Sequence, residues 1–436
     1  MYLADSRTAD PAPDPGTAAA PDRTRPGRRP AVPGTVLALG AVSLITDVSA
    51  EMVTAVLPLY VITALGLSPL GFGLLDGLNN GVGALVRLAG GHLADGGGRR
   101  HEVVAGIGYG LSAVCKPLLL IARGLPAIGA VLAVDRAGKG LRTAPRDAMI
   151  SLASAPEQRG RAFGVHRAMD TAGALLGPLV AFAVLRVAVD GYDAVFTVSA
   201  CVAALGVLVL VLFVPARAGA ARTPAPASPR PALRDSLALL RRPELRRLTL
   251  CAALLGLTTV SDAFLYLLLQ RELGVPAGLF PLLPLGTAAV FLLLAVPLGA
   301  LADRVGRRRL FLAGHAALLL AYGLVLGPSR GPATVVAVLV LHGAFYAATD
   351  GVLAAAAAGA VPAEHLGAGQ ALVGTGQALA RFVCSLAFGA AWSRWDGRAA
   401  LAVAAAALAV AALLAARLLR TAGTDDDHRT PEGALR

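Results

Sequence analysis

Long apolar runs follow one another from Gly34 to Arg420, at about 35–64, 70–94, 102–122, 126–150, 161–188, 193–214, 246–270, 278–302, 310–328, 332–358, 367–392 and 398–419. A helix needs about 20 apolar residues to cross a bilayer, and each run supplies them. The pattern predicts an all-α polytopic membrane protein with twelve transmembrane helices. Residues 1–33 mix Pro, Ala, Asp and Arg without an apolar run, which predicts a disordered cytoplasmic tail rather than a secretory signal peptide. The Pro/Ala/Arg-rich break at 215–247 reads as a linker between a bundle at 34–214 and another at 248–420, with a second tail at 421–436.

Composition supports the same picture. Of 436 residues, 56% are apolar and 15% charged, where a soluble chain would carry about a quarter charged residues. The excess of 39 Lys and Arg over 27 Asp and Glu reads first as loop charge that orients the spans, which disfavours a nucleic-acid partner. On the map above, 27 of the 39 basic residues fall on the side of the tails and linker, including Arg142 and Arg146. That asymmetry places both termini in the cytoplasm. The preponderance of Arg over Lys, with abundant Ala, suggests a GC-rich bacterial genome and hence a plasma membrane, the bacterial inner membrane. Lys116 and Lys139 are the two lysines, and neither closes a Walker A loop, so ATP does not drive this protein. Four isolated cysteines and seven scattered histidines give no disulfide framework and no metal signature, and no nucleophile and base share a spacing that suggests an enzyme.

Internal repetition defines the plan. Gly91-His-Leu-Ala-Asp95-Gly-Gly-Gly-Arg99-Arg100 recurs 208 residues later as Gly299-Ala-Leu-Ala-Asp303-Arg-Val-Gly306-Arg307-Arg308, and Glu157-Gln-Arg-Gly160 is echoed by Glu364-His-Leu-Gly367. Two parallel six-helix repeats joined by a linker suit a secondary transporter that rocks about a midplane site, and such a plan works as a monomer. At these residues the chain resembles the major facilitator superfamily, whose motif A the two loops match. Leu132, Arg136, Lys139 and Gly140 are similar to motif B of its drug:proton antiporters, with Lys in place of the usual Gln. Gly173, Gly177 and Pro178 are similar to the antiporter motif C. The stretch Asp135 to Asp147 also looks like a bacterial branch without an assigned substrate. The resemblance implies two pseudo-symmetric six-helix bundles, alternating access, no cofactor, and a proton gradient as energy source.

Residue chemistry gives the loops and stripes a role of their own. Asp95 with Arg99 and Arg100, and Asp303 with Arg307 and Arg308, place opposite charges across a tight turn. Exposed pairs are worth only about 0–1 kcal/mol, so they suit a latch remade in each cycle, although the arginines also anchor topology. Ionisable groups inside spans usually face the bundle interior. Asp76, Asn80, Gly83 and Arg87 share one helix face, as do Asp135, Lys139, Arg142 and Arg146, then His166, Asp170, Gly173 and Gly177, then Gln370, Gly374, Gln377 and Arg381. These stripes predict helices lining one aqueous cavity. Asp47 and Glu51, a like-charge pair one turn apart in the first span, are candidates for proton coupling with Asp76 and Arg136, or else hold helices together through Arg87 or Arg136. Asp262 and Tyr266 in the seventh span, and His342, Tyr346 and Asp350 in the tenth, are candidates for the cavity wall of the second half. The glycines Gly173 and Gly177 also read as a close helix contact.

The resulting expectation is proton-coupled efflux of small lipophilic compounds, drugs or secondary metabolites. A carrier for a specific anionic metabolite, using Lys139, Arg142, Arg87, Arg167 and Arg381, is the second reading, and a non-transporting sensor the third.

Overall fold

A computed structural model of the protein describes residues 32–93, 98–155, 158–189, 191–214, 238–362 and 366–424. The first half contains α1 (Gly34–Leu59), α2 (Pro69–Leu93), α3 (Gly98–Ile121), α4 (Leu125–Ala153), α5 (Arg159–Val187) and α6 (Gly191–Phe213). The second contains α7 (Pro243–Gly256), α8 (Asp262–Glu272), α9 (Leu282–Val305), α10 (Arg307–Leu326), α11 (Pro332–Gly359), α12 (Leu366–Arg394) and α13 (Gly397–Thr424). Helices α7 and α8 share the place of one span, so twelve spans stand in two six-span halves, all-helical as the apolar runs predict. Pro58 has no N–H to give, and just beyond it α1 passes into a π-helical turn at Tyr60–Ala64.

The seventh span differs from the uninterrupted helix read over 246–270. It breaks between Gly256 and Asp262, where Thr259 turns its hydroxyl back on the Leu255 carbonyl at 2.8 Å. The freed backbone finds side-chain partners, since the Val260 amide donates to the Tyr322 hydroxyl at 2.9 Å and Cys384 donates to the Thr259 carbonyl at 3.3 Å. Interrupted backbone survives at membrane depth only when it is satisfied in this way. The break sets Asp262 on the first turn of α8.

Among the described residues, nine segments are long and apolar enough to cross a membrane. The second and fourth spans fall short of that apolarity, because they carry Asp76 and Asn80 and the charges of α4, and the seventh falls short in length, because the break divides it into helices of 14 and 11 residues. Outward faces are apolar, with Leu293, Val296 and Val211 exposing 75%, 79% and 72% of their surfaces, as lipid contact requires.

Within the first half α1 packs on α5 and α6, and α4 on α2 and α3. In the second half α11 packs on α9 and α10, and α7 on α12. The halves join mainly along α2 and α12, at the start of one and the end of the other. Small residues let these backbones approach: a Cβ on Gly389 would lie 3.1 Å from the Leu70 Cα, and one on Gly73 would lie 3.2 Å from the Ser385 carbonyl carbon. Phe72 meets Phe264 edge to face, with centroids 4.9 Å apart. These contacts lie at the end of the bundle remote from the start of α1. From Pro33 onward the helices of both halves form a single unit.

Candidate functional site

Among the described residues, two clusters of charged side chains stand inside the bundle. The first lines a cavity of about 360 Å³ near mid-span between the halves. The first half contributes Glu51 from α1 and Asp76 and Asn80 from α2, and the second contributes Asp262, Tyr346, Asp350 and Arg381. Pro58, Phe280 and Phe291 give it apolar wall. Asp262 accepts a hydrogen bond from the Tyr346 hydroxyl at 2.6 Å and lies 3.3 Å from His342 Nε2, while 42% of its side chain stays open. The His342 contact lacks the alignment of a hydrogen bond, and that nitrogen has no other partner among the described residues. Asp76 accepts from the Ser385 hydroxyl at 2.6 Å, which ties the two halves together at the cavity edge.

The second centre lies inside the first half. Asp47 on α1 takes both Lys139 Nζ at 3.4 Å and Arg142 Nη2 at 3.3 Å. Arg142 is 4% exposed and its guanidinium stacks 4.3 Å from the centroid of the Tyr109 ring. Beside it Lys116 on α3 and Asp135 on α4 pair at 3.2 Å, with side chains 4% and 8% exposed. A pocket of about 10 Å³, room for roughly one water, touches Lys116, Asp135, Lys139 and Arg142. One turn or two further along, Arg146 reaches Asp147 at 3.0 Å and Asp170 at 3.6 Å, and His166 meets Ser43 at 3.1 Å. Arg142 and Arg146, counted as loop charge from the sequence, therefore stand within α4 as bundle charges. The asymmetry of the remaining loops survives their removal.

The polar stripes thus divide between two places. Glu51, Asp76, Asn80, Asp262, Tyr266, Tyr346, Asp350 and Arg381 come together at the cavity. Asp47, Lys139, Arg142, His166 and Asp170 gather in the first half instead. Asp47 and Glu51 are not a shared carboxylate site, since Asp47 points to α4 and Glu51 to the cavity. Arg136 donates to the Thr54 hydroxyl at 3.5 Å and forms no ion pair among the described residues. Gln377 faces Gly256 of α7. Gly173 and Gly177 lie against α1, where a Cβ would come 3.0 Å from the Leu44 Cα and 2.8 Å from the Val48 carbonyl oxygen.

Of the two motif loops, Asp95 and the side chains of Arg87, Arg99 and Arg100 lie outside the described residues, and Gly91 sits in the last turn of α2. In the second loop Gly306 turns the chain with a φ of 93°, a conformation that favours glycine. Asp303 and Arg307 pair across it at 3.9 Å with side chains 73% and 51% exposed, and Arg308 donates to the Ala416 carbonyl at 2.8 Å. Lys116, Ser385 and Ser261, the last on the cavity wall, were not legible as site residues. Lys116 had one signal, a lone charge in an apolar run.

Twelve spans in two halves around a charged central cavity are the build of a membrane transporter rather than an enzyme. The chain belongs to the major facilitator superfamily: the model of that family matches residues 39–291 and 260–435. It is 30% identical over 301 residues to an uncharacterized MFS-type transporter of Methanocaldococcus jannaschii, covering 66% of this chain and 70% of that one. It is also 35% identical over 158 residues to an uncharacterized protein of Mycobacterium tuberculosis, covering 36% and 38% of the two. Among solved structures it resembles the nucleoside transporter NupG, with 13% identity, a TM-score of 0.73, and 88% and 99% of the two chains covered. The peptide transporter POT is similar at 16% identity and a TM-score of 0.72, with 90% and 95% covered. At these identities the likeness is one of fold. The protein is a multi-pass membrane transporter seated in a lipid bilayer.

Proposed function

We propose that this transporter exports small, largely lipophilic compounds in exchange for protons, by alternating access as a monomer in a bacterial inner membrane with both termini cytoplasmic. The carrying observation is that Glu51 and Asp76 line the cavity from the first half while Asp47, one turn from Glu51, is bound to Lys139 and Arg142. A carboxylate on the cavity wall is within reach of both a proton and a substrate, so the two compete for it, and that competition is what couples exchange. Likeness to antiporter motifs B and C supports export. The basic bias of the loops supports the orientation. No cofactor enters this scheme, and the proton gradient supplies the energy.

A carrier of simple anions is less well supported, because Lys139 and Arg142 already serve Asp47. In everted vesicles holding an imposed pH gradient, adding a lipophilic cation such as ethidium is expected to release protons through the wild-type protein. Glu51→Gln is expected to bring that release down to the level of vesicles without the protein, at unchanged membrane content. Coupled release that continues at the wild-type rate removes Glu51 from the mechanism.

A further inference from the structure

The cavity wall carries charges of both signs, and among the described residues its basic and acidic side chains form no ion pair with one another. Among the described residues Arg381 is the one basic side chain on its lining, and its Nε has no hydrogen-bond partner. Its guanidinium lies 5.9 Å from the centroid of the Tyr346 ring, and no ion pair forms between it and any described carboxylate. Glu51 on α1 and Asp350 on α11 line the same cavity, and neither forms an ion pair among the described residues. The other two acids are engaged, Asp76 with Ser385 and Asp262 with Tyr346. Unpaired charges of both signs on the wall of one apolar-backed chamber are costly without a ligand that answers both.

We propose that the cavity takes a small amphiphile carrying both an oxyanion, such as a carboxylate, and a protonated amine, with Arg381 holding the acidic end and Glu51 or Asp350 the amine. A simple cation still finds the carboxylates but leaves Arg381 unanswered, and a simple anion leaves the carboxylates so, and each is therefore expected to bind more weakly than a molecule carrying both charges. Arginine suits this role because its planar fork matches a carboxylate. The volume of about 360 Å³ is at the small end of ligand pockets, and Pro58, Phe280 and Phe291 offer an apolar surface for the body of the molecule. The inference rests on the reading of this cavity as the substrate site. It does not depend on proton coupling.

The test uses three probes that share a phenylethyl body and differ in charge: phenylalanine with both groups, phenethylamine with the amine alone, and 3-phenylpropionate with the carboxylate alone. Equilibrium binding of the tritiated probes is measured on the full chain in lipid nanodiscs, without a gradient. Phenylalanine is expected to bind about tenfold or more tighter than either single-charge probe, as one charge-assisted hydrogen bond allows. Arg381→Gln is expected to erase its advantage over phenethylamine while leaving phenethylamine bound, and Arg381→Lys to restore part of it. Asp350→Asn combined with Glu51→Gln is expected to erase its advantage over 3-phenylpropionate. Equal binding of the three probes by the wild type overturns the proposal, as does an Arg381→Gln variant that weakens all three alike. Vesicles that fail to release protons while this binding pattern holds count against the exchange mechanism alone.

Discussion

Lys116 and Asp135 show how a buried charge depends on its partner. Both side chains are nearly inaccessible, and their 3.2 Å contact joins α3 to α4 where Gly108 and Gly138 let the two helices close up. Removing one member leaves the other charged and unanswered, at a cost of about 3–5 kcal/mol, whereas replacing both with apolar groups is often neutral. Lys116→Met is expected to lower thermal stability in detergent sharply, and Lys116→Met with Asp135→Leu to recover most of it. A double variant no better than the single one rules out the pair as the cause. The sequence exposed Asp135 through its stripe on α4 but gave no partner, because periodicity orders residues on one helix and says nothing of how neighbouring helices are rotated. Asp47 illustrates the same limit. Its neighbour along the helix is Glu51, yet in three dimensions its company is Lys139 and Arg142 of α4.

At the level of helices, glycines decide which pairs touch. Gly173 and Gly177 face α1 with no room for a side chain, while Gly164, earlier on the same helix, has nothing within 4 Å of the place a methyl group would take. Gly177→Val therefore overpacks the α1–α5 contact and is expected to cost about 1–3 kcal/mol, read as loss of monodisperse protein on size exclusion. Gly164→Ala in the same helix is expected to be neutral or slightly stabilising. The spacing of small residues showed that a close contact existed, though not that α1 was the partner. The seventh span was harder to read, since hydropathy averaged over 246–270 hides a five-residue interruption. The run Thr258, Thr259 and Ser261 was its trace, because such hydroxyls bond to nearby backbone and compete with the helix.

For the whole molecule, the repeat at an offset of 208 residues made the two-half plan readable from the sequence, because duplicated halves keep duplicated turns. How the halves meet was not readable, since that contact depends on shape between α2 and α12. The contact closes the end of the bundle remote from α1's start, where the Leu70 amide donates to the Ser393 hydroxyl at 2.9 Å. If transport proceeds by rocking of one half against the other, this seam must open in every cycle. With the Leu70 nitrogen 2.9 Å from the Ser393 hydroxyl, cysteines at these two positions are expected to come within disulfide reach, and Cys201→Ser removes the one exposed native thiol among the described residues. Oxidation of Leu70→Cys with Ser393→Cys is expected to staple the halves and stop substrate movement, and a reductant to restore it. The single-cysteine variants, treated in the same way, should keep their rates. A stapled protein that transports at the unstapled rate shows that the seam stays shut during turnover, and substrate would then have to pass without the two halves separating there.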